Sequence, residues 1–352
     1  MNRKLRLLGG IAAVGASLWL SGEAGAASSC ATPDNNSTIT TCFFDLTGSP
    51  SSTQTPSSAV LNDGIFRVPG ANGDLGHGTI VGTGVFQPFV RIQETANGNS
   101  NGIEKGFNTD GSQGATILDN HDKGGNNWNH SIKLSDISKV TVCDGGGTTG
   151  TNCQQYYEFL LDTNEQGNST NSGISLDEFK VFTATTGDIT AYTGAAGTAG
   201  FSDFALTGAT ERYNMDTSPG GDASILTDYQ NFSGSGNGVD LQALVPVANF
   251  AGVATDSFVY LYSKFGWASS QCLNPNASSD SPCTTPDGTT GAGTSVSPAG
   301  AKTPAGSLNF AADAGFEEWS FRKATGVPLP TTALLLGIGL AGFGFIRKFA
   351  RA

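Results

Sequence analysis

Between residues 27 and 325 no apolar pattern keeps the 3.6-residue period of a helix for long. Short apolar runs are instead cut by Gly, Asn, Asp, Ser and Thr. Each interruption supplies the turn chemistry that ends an element, so a chain written this way builds strands. Candidate strands begin at Val85 (VFQPFVRIQ), at Gln154, at Ile174 (ISLDEFKVF), at Leu241 (LQALVPV) and at Asp256 (DSFVYLYSKF). Short strands with turn residues between them indicate a β-sandwich or barrel. The reading is an all-β body, a jelly-roll-like β-sandwich. One stretch, SIKLSDISKV from Ser131, also fits a helical turn and stays ambiguous.

From residue 274 to 307 the chain turns small and polar, ending TTPDGTTGAGTSVSPAGAKTPAGS, too poor in apolar groups to bury a core. LNFAADAGFEEWSF, from Leu308, then looks like a returning strand. The polar stretch is therefore expected to be a disordered insertion inside one secreted domain spanning 27–325.

Both ends differ from this body. Arg3, Lys4 and Arg6, an apolar run from Leu7 to Leu20, and Ala24-Gly25-Ala26 together read as a secretory signal peptide over 1–26, cleaved before Ala27. The alternative, an uncleaved anchor, meets an apolar core short for a span of ~20 residues. At the other end, over 326–352, Val327-Pro328-Leu329-Pro330 cannot continue a helix from the domain, since proline lacks the N–H and restricts its predecessor. Thr331 to Ile346 is a largely apolar run rich in Gly and Leu, closed by Arg347, Lys348 and Arg351. Lys and Arg favour the cytoplasmic side, so this transmembrane helix would leave the domain outside, as the export signal requires.

Composition agrees with export. Gly is 49 of 352 residues, well above the usual ~7%, and the charged fraction is 14% against ~25% for ordinary soluble domains. Without its two ends the chain keeps 12 Lys and Arg against 29 Asp and Glu, a net charge of −17. That surface repels nucleic acid and anionic lipid and attracts cations. Six cysteines in an exported chain point to disulfides: Cys30 with Cys42, Cys143 with Cys153 and Cys272 with Cys283 are sequence neighbours, although six allow fifteen connectivities.

Candidate sites are sparse. In LDTNEQGNSTNSGISLDEFKVF, the residues Asp162, Asn164, Gln166 and Gly167 fit the opening of a Ca²⁺ loop with alternating oxygen ligands, and Glu178 fits its closing position. About five extra residues separate the halves and the flanks look like strands, so solvated turn residues are the competing reading and Ca²⁺ the one candidate cofactor. Asp216, Asp222 and Asp228 read as surface carboxylates. His77, His121 and His130 lack zinc-site spacing, and no GxSxG elbow, P-loop or available Cys nucleophile appears. No catalytic residues are assigned, and the chain is not expected to be an enzyme. Trp128, Tyr156, Tyr157, Trp267 and Trp319 could form a sugar platform or fill the core. Asn36, Asn129, Asn168, Asn231 and Asn276 sit in N-x-S/T sequons.

The tail, a proline motif followed by a Gly/Leu membrane helix and a basic end, resembles the PEP-CTERM sorting signal of Gram-negative bacteria. Leu329 stands where the family motif usually has glutamate, as in its VPLP variant. The resemblance continues more weakly through the body, in VFQPFVRIQ, GIEKGFNTDG, NWNHSIKLSDI, YYEFLLDTNE, ISLDEFKVF, SGNGVDLQALVP, FVYLYSKFG and GFEEWSF. It implies recognition by exosortase, removal of the tail near Pro330, and release from an inner-membrane intermediate to the cell envelope, cell surface or extracellular matrix. The expected role is structural or adhesive, in contact with exopolysaccharide during biofilm formation. The alternatives are a carbohydrate-binding module with a specific glycan and, behind it, an envelope hydrolase.

Overall fold

The structure is a computed structural model. It describes residues 27–31, 40–46, 58–68, 88–93, 103–111, 117–120, 128–143, 148–165, 172–194, 204–217, 221–228, 239–266, 310–312 and 315–322. The stretches read above as a signal peptide, as an insertion over 274–307 and as a sorting tail, with Val327, Pro328, Leu329, Pro330, Arg347, Lys348 and Arg351, lie outside the described residues, as do Cys272 and Cys283. Among the described residues no helix is long and apolar enough to cross a membrane.

Strands β1 (Ala27–Ala31), β2 (Thr40–Asp45), β3 (Ser58–Leu61), β4 (Gly64–Arg67), β5 (Val90–Ile92) and β6 (Glu104–Phe107) come first. Next are β7 (Ile132–Lys133), β8 (Lys139–Val142), β9 (Gln154–Asp162), β10 (Gly173–Ala184), β11 (Tyr192–Thr193) and β12 (Ala205–Leu206). β13 (Thr210–Asn214), β14 (Gly221–Asp228), β15 (Leu241–Pro246), β16 (Phe258–Phe265) and β17 (Glu317–Phe321) complete the set. The all-β expectation is met, and each strand predicted from Gln154, Ile174, Leu241 and Asp256 is present. The ambiguous SIKLSDISKV resolves into β7, a 3-10 turn over Leu134–Asp136 and the start of β8.

One sheet runs β3-β4-β15-β9-β17-β5 with β8 beside β9; the other runs β1-β2-β14-β10-β16-β6 with β13 beside β10 and β7 beside β16. From β14 to β17 the chain changes sheet at every step. Aromatic side chains close the space between the layers. Phe179 of β10 meets Phe66 of β4 at 5.5 Å between ring centroids, Phe159 of β9 at 6.0 Å and Trp319 of β17 at 5.0 Å. The Trp319 indole N–H donates to the Ser263 hydroxyl across the layers at 3.0 Å, so the polar edge of the largest core residue is satisfied.

All twelve residues of β10 are buried, which simple alternation does not explain. Ile174 and Leu176 point inward, and so do Phe179 and Val181, which changes parity mid-strand. The β10–β16 register shifts between Leu176 and Glu178: a bulge at Asp177 flips every later side chain. Asp177 is accommodated there because its carboxylate accepts from the hydroxyls of Ser175 at 3.0 Å and Ser224 at 2.8 Å. Without the bulge, Glu178 and Lys180 would face the core. With it they lie on the outer face, while Phe182 enters a second apolar cluster that the β11–β12 ribbon helps to build. Phe204, beside that ribbon, stacks on Tyr262 at 3.7 Å.

The disulfide expectations are met at Cys143–Cys153, which are bonded; Cys30 and Cys42 stand directly opposite each other in the β1–β2 pairing. The bridge ties the end of β8 to the start of β9 across a separation of 10 residues. A loop of that size restricts the unfolded chain by roughly 3 kcal/mol. The double substitution Cys143→Ser, Cys153→Ser is expected to lower stability by about 2–3 kcal/mol in urea denaturation. A parent protein that loses nothing under dithiothreitol would contradict this.

Candidate functional site

Charged side chains converge where β9 ends beside β17. In the sheet register, Arg91 of β5 pairs with Glu318 of β17, and Glu318 pairs with Asp162 of β9. Alternation sends all three to the outer face, because their neighbours Leu161, Trp319 and Ile92 fill the core. Arg91 forms a hydrogen-bonded ion pair with Glu318. Its guanidinium lies between two half-buried rings, 3.3 Å from the Trp128 centroid and 4.0 Å from that of Phe316, a placement the ring quadrupoles favour.

Asn129 holds Trp128 against the strand edge: its side-chain oxygen accepts from the Arg91 backbone N–H at 3.0 Å, and its amide donates to the Arg91 carbonyl at 3.3 Å. Since this side chain is buried and committed, the Asn129 sequon is not a modification site.

Asp162 sits at the dry side of this row. Burial first, and then the Asp240 and Glu318 carboxylates, push its pKa up to about 8, with Arg91 opposing. Burial also raises Glu318, and Arg91 again opposes. Asp240 itself is used structurally, accepting from the backbone N–H and the hydroxyl of Thr163, both at 2.8 Å. On the inner side of β17, Glu317 is fully buried. Burial, and then the neighbouring Glu104 and Glu165 carboxylates, hold its pKa well above the usual range. Close by, Gly315 at φ 86° lets the loop carrying Asn164 pass, since a Cβ there would lie 1.7 Å from the Asn164 carbonyl oxygen.

The four residues proposed for Ca²⁺ are distributed as follows. Asp162 and Asn164 are at the end of β9 in one sheet; Glu178 is on β10 in the other, 3.5 Å from the Lys180 ammonium and 3.6 Å from that of Lys264; Gln166 lies outside the described residues. The charged neighbours of Asp162 and of Glu178 are thus different groups. Among the described residues no set of three or more His, Cys, Asp or Glu side chains is arranged to hold a metal ion.

The expectation of surface carboxylates fails for Asp216 and Asp222, which are 3% and 2% exposed. Asp216 accepts from the Ala223 N–H at 3.1 Å. Burial, then Asp222 and Glu178, raise its pKa well above the ordinary value, with Lys180 opposing. These groups and the buried lysines form a charged layer on the outer face of the second sheet. Of the proposed aromatic platform, Tyr156, Tyr157 and Trp319 are buried, Trp267 lies outside the described residues, and Trp128 is half-buried beside Arg91. His130 has its backbone N–H bonded to the Phe89 carbonyl; His77 and His121 lie outside the described residues.

Sequence reasoning missed Arg91, Phe316, Glu317 and Glu318. Their signal was the pair Glu317-Glu318 inside an aromatic strand, GFEEWSF, where alternation must send one glutamate inward. Compared with protein-family models, with curated proteins and with solved structures, the chain matches none of them.

Proposed function

We propose that this is an exported cell-envelope or extracellular-matrix protein of a Gram-negative bacterium. On this reading it is sorted and cleaved by exosortase, and its jelly-roll-like sandwich has a structural or adhesive role against exopolysaccharide. The observation that carries the proposal is the tail from Gly326, where Val327-Pro328-Leu329-Pro330, an apolar run and the basic trio Arg347, Lys348 and Arg351 follow one another. The membrane is engaged through that run before cleavage, exosortase during it and polysaccharide afterwards; nucleic acid is disfavoured by the acidic charge.

A non-catalytic role is supported by how the charged side chains are used. Glu318 is held by Arg91, Asp240 by Thr163, and Glu158 by Gln242 and by Arg322 at 3.2 Å. A carbohydrate-binding module with a defined glycan is the second reading, favoured by Trp128 and Phe316, two half-buried rings fixed beside Arg91.

The test is the intact mass of the protein from its native host, with terminal peptides identified, in strains with and without exosortase. An N-terminus at Ala27 in both, and a C-terminus near Pro330 only where exosortase is present, are the expected results. Arg351 retained in both strains would make the tail a permanent anchor and overturn the sorting proposal.

A further inference from the structure

Where the β3–β4 hairpin meets β13, the structure leaves an open cleft of about 410 Å³, lined by Asn62, Glu211, Arg212, Tyr213, Asn214 and Asn249. The hairpin tip is a two-residue turn: Leu61 pairs with Gly64, and Asn62 and Asp63 both hold positive φ, 49° and 62°. That is the type I′ geometry, which Asn and Asp tolerate and which matches strand twist. Three contacts then fix the tip onto β13. The Tyr213 hydroxyl donates to the Leu61 carbonyl at 2.6 Å. The Asn62 amide donates to the Asn214 carbonyl. Gly64 has no side chain where a Cβ would lie 2.3 Å from the Tyr213 hydroxyl oxygen. Asn249 comes from the 3-10 turn Val247–Phe250, whose Phe250 is anchored on Tyr157 at 4.9 Å. The cleft is thus preformed, held by groups packed beneath it.

Its chemistry is amide, carboxylate and guanidinium. Tyr213 offers no ring face, because its ring is turned into the core against Phe66 at 6.4 Å and Phe179 at 5.9 Å. An apolar ligand would find little to bury against. Glu211 and Arg212 carry opposite charges, so neither a phosphate nor a simple cation is selected. The Arg212 Nε donates to the Thr183 hydroxyl at 2.8 Å, which sets the guanidinium plane and leaves the terminal nitrogens as its remaining donors. A carboxylate accepts from two hydroxyls, a guanidinium donates to two oxygens, and an amide does one of each. That set matches closely spaced hydroxyl groups.

The geometry points to a saccharide-binding cleft in which Glu211, Arg212 and Asn249 hold the hydroxyls of one neutral sugar ring of a polysaccharide chain. It rests on the matrix reading above for the polymer the ring belongs to. Without a stacking face the affinity for a single ring is weak, with Kd about millimolar. Many identical rings on one polymer raise the effective strength.

The test uses the purified full chain in detergent, titrated with glucose, galactose, mannose and N-acetylglucosamine by saturation-transfer NMR, and co-sedimented with the host's exopolysaccharide. Glu211→Gln and Asn249→Ala change the rim, Lys133→Gln is the control at an exposed position outside the cleft, and thermal melts establish that each variant is folded. The expected result is binding of at least one sugar, weakened about tenfold or more by Glu211→Gln and by Asn249→Ala and unchanged by Lys133→Gln. Sugar or polymer binding that both rim variants retain would overturn the cleft while leaving the matrix reading standing. Absence of binding to every sugar and to the polymer would overturn both.

Discussion

Replacing Phe179 by alanine is expected to remove about 3–5 kcal/mol of stability, a large part of the roughly 5–15 kcal/mol that holds a domain folded. The ring is fully buried and touches Phe66, Phe159, Tyr213 and Trp319, which arrive on β4, β9, β13 and β17. It is the point where both sheets close on one another, so truncation opens a cavity that neither layer fills without bending. Each lost edge or tilted ring contact adds about 0.5–1.5 kcal/mol beyond area burial, although the four share one residue and do not add. Phe179→Leu keeps most of the volume and is expected to cost less than half as much. Tyr192→Ala is the control, since Tyr192 is 38% exposed and rests on Phe204 at the rim of the smaller cluster; its cost should stay near 1 kcal/mol. Urea denaturation reads all three. A Phe179→Ala cost below that of Tyr192→Ala would refute the face-to-face packing.

That residue also marks how far the sequence could be read. The strands at Gln154, Ile174, Leu241 and Asp256 were legible because turn residues bracket short apolar runs. Which side of β10 faces inward was not, because ISLDEFKVF carries apolar residues at both parities and only the bulge at Asp177 reconciles them. The same ambiguity hid the site. Asp162 and Glu178 look like two ends of one loop in sequence, yet β9 and β10 belong to different sheets, and each carboxylate meets its partners across strands. Arg91 and Glu318, far apart in the chain, meet through β5–β17 pairing, and no local spacing encodes such pairing. Asp216 and Asp222 read as surface residues because charge ordinarily stays in water. Lys180, on the adjacent β10, opposes the effect of burial on Asp216 and helps make it tolerable.

Buried carboxylates set the second large effect: stability should fall as pH rises from 5 to 8. Asp162 has a folded pKa of about 8 against an ordinary aspartate value of 3.8. In that window the native state therefore holds a proton that the unfolded chain has released, and stability has a negative slope with pH. The contribution is complete below the unfolded pKa and lost as pH climbs through the folded one. Glu317 and Asp216, held well above their ordinary values, and Glu318, raised less far, act in the same direction. Lys105, lowered mainly by burial, acts oppositely, but only between its lowered folded pKa and the ordinary lysine value. At about 1.4 kcal/mol per pH unit, Asp162 alone accounts for up to about 4 kcal/mol between pH 5 and pH 8, an upper bound because water and structural relaxation soften it. Thermal melts should show Tm several degrees lower at pH 8 than at pH 5. Asp162→Asn is expected to match the parent at pH 5, exceed it at pH 8 and flatten the slope. Asp256→Asn, which removes one exposed charge, should leave the slope intact and so separates this effect from general repulsion in an acidic protein. A slope unchanged by Asp162→Asn would show that the row from Arg91 through Glu318 to Asp162 is solvated. In that case the negative charge at the end of β9 would be available to ligands at neutral pH, whereas a flattened slope means that this edge of the sandwich meets its surroundings as a neutral acid.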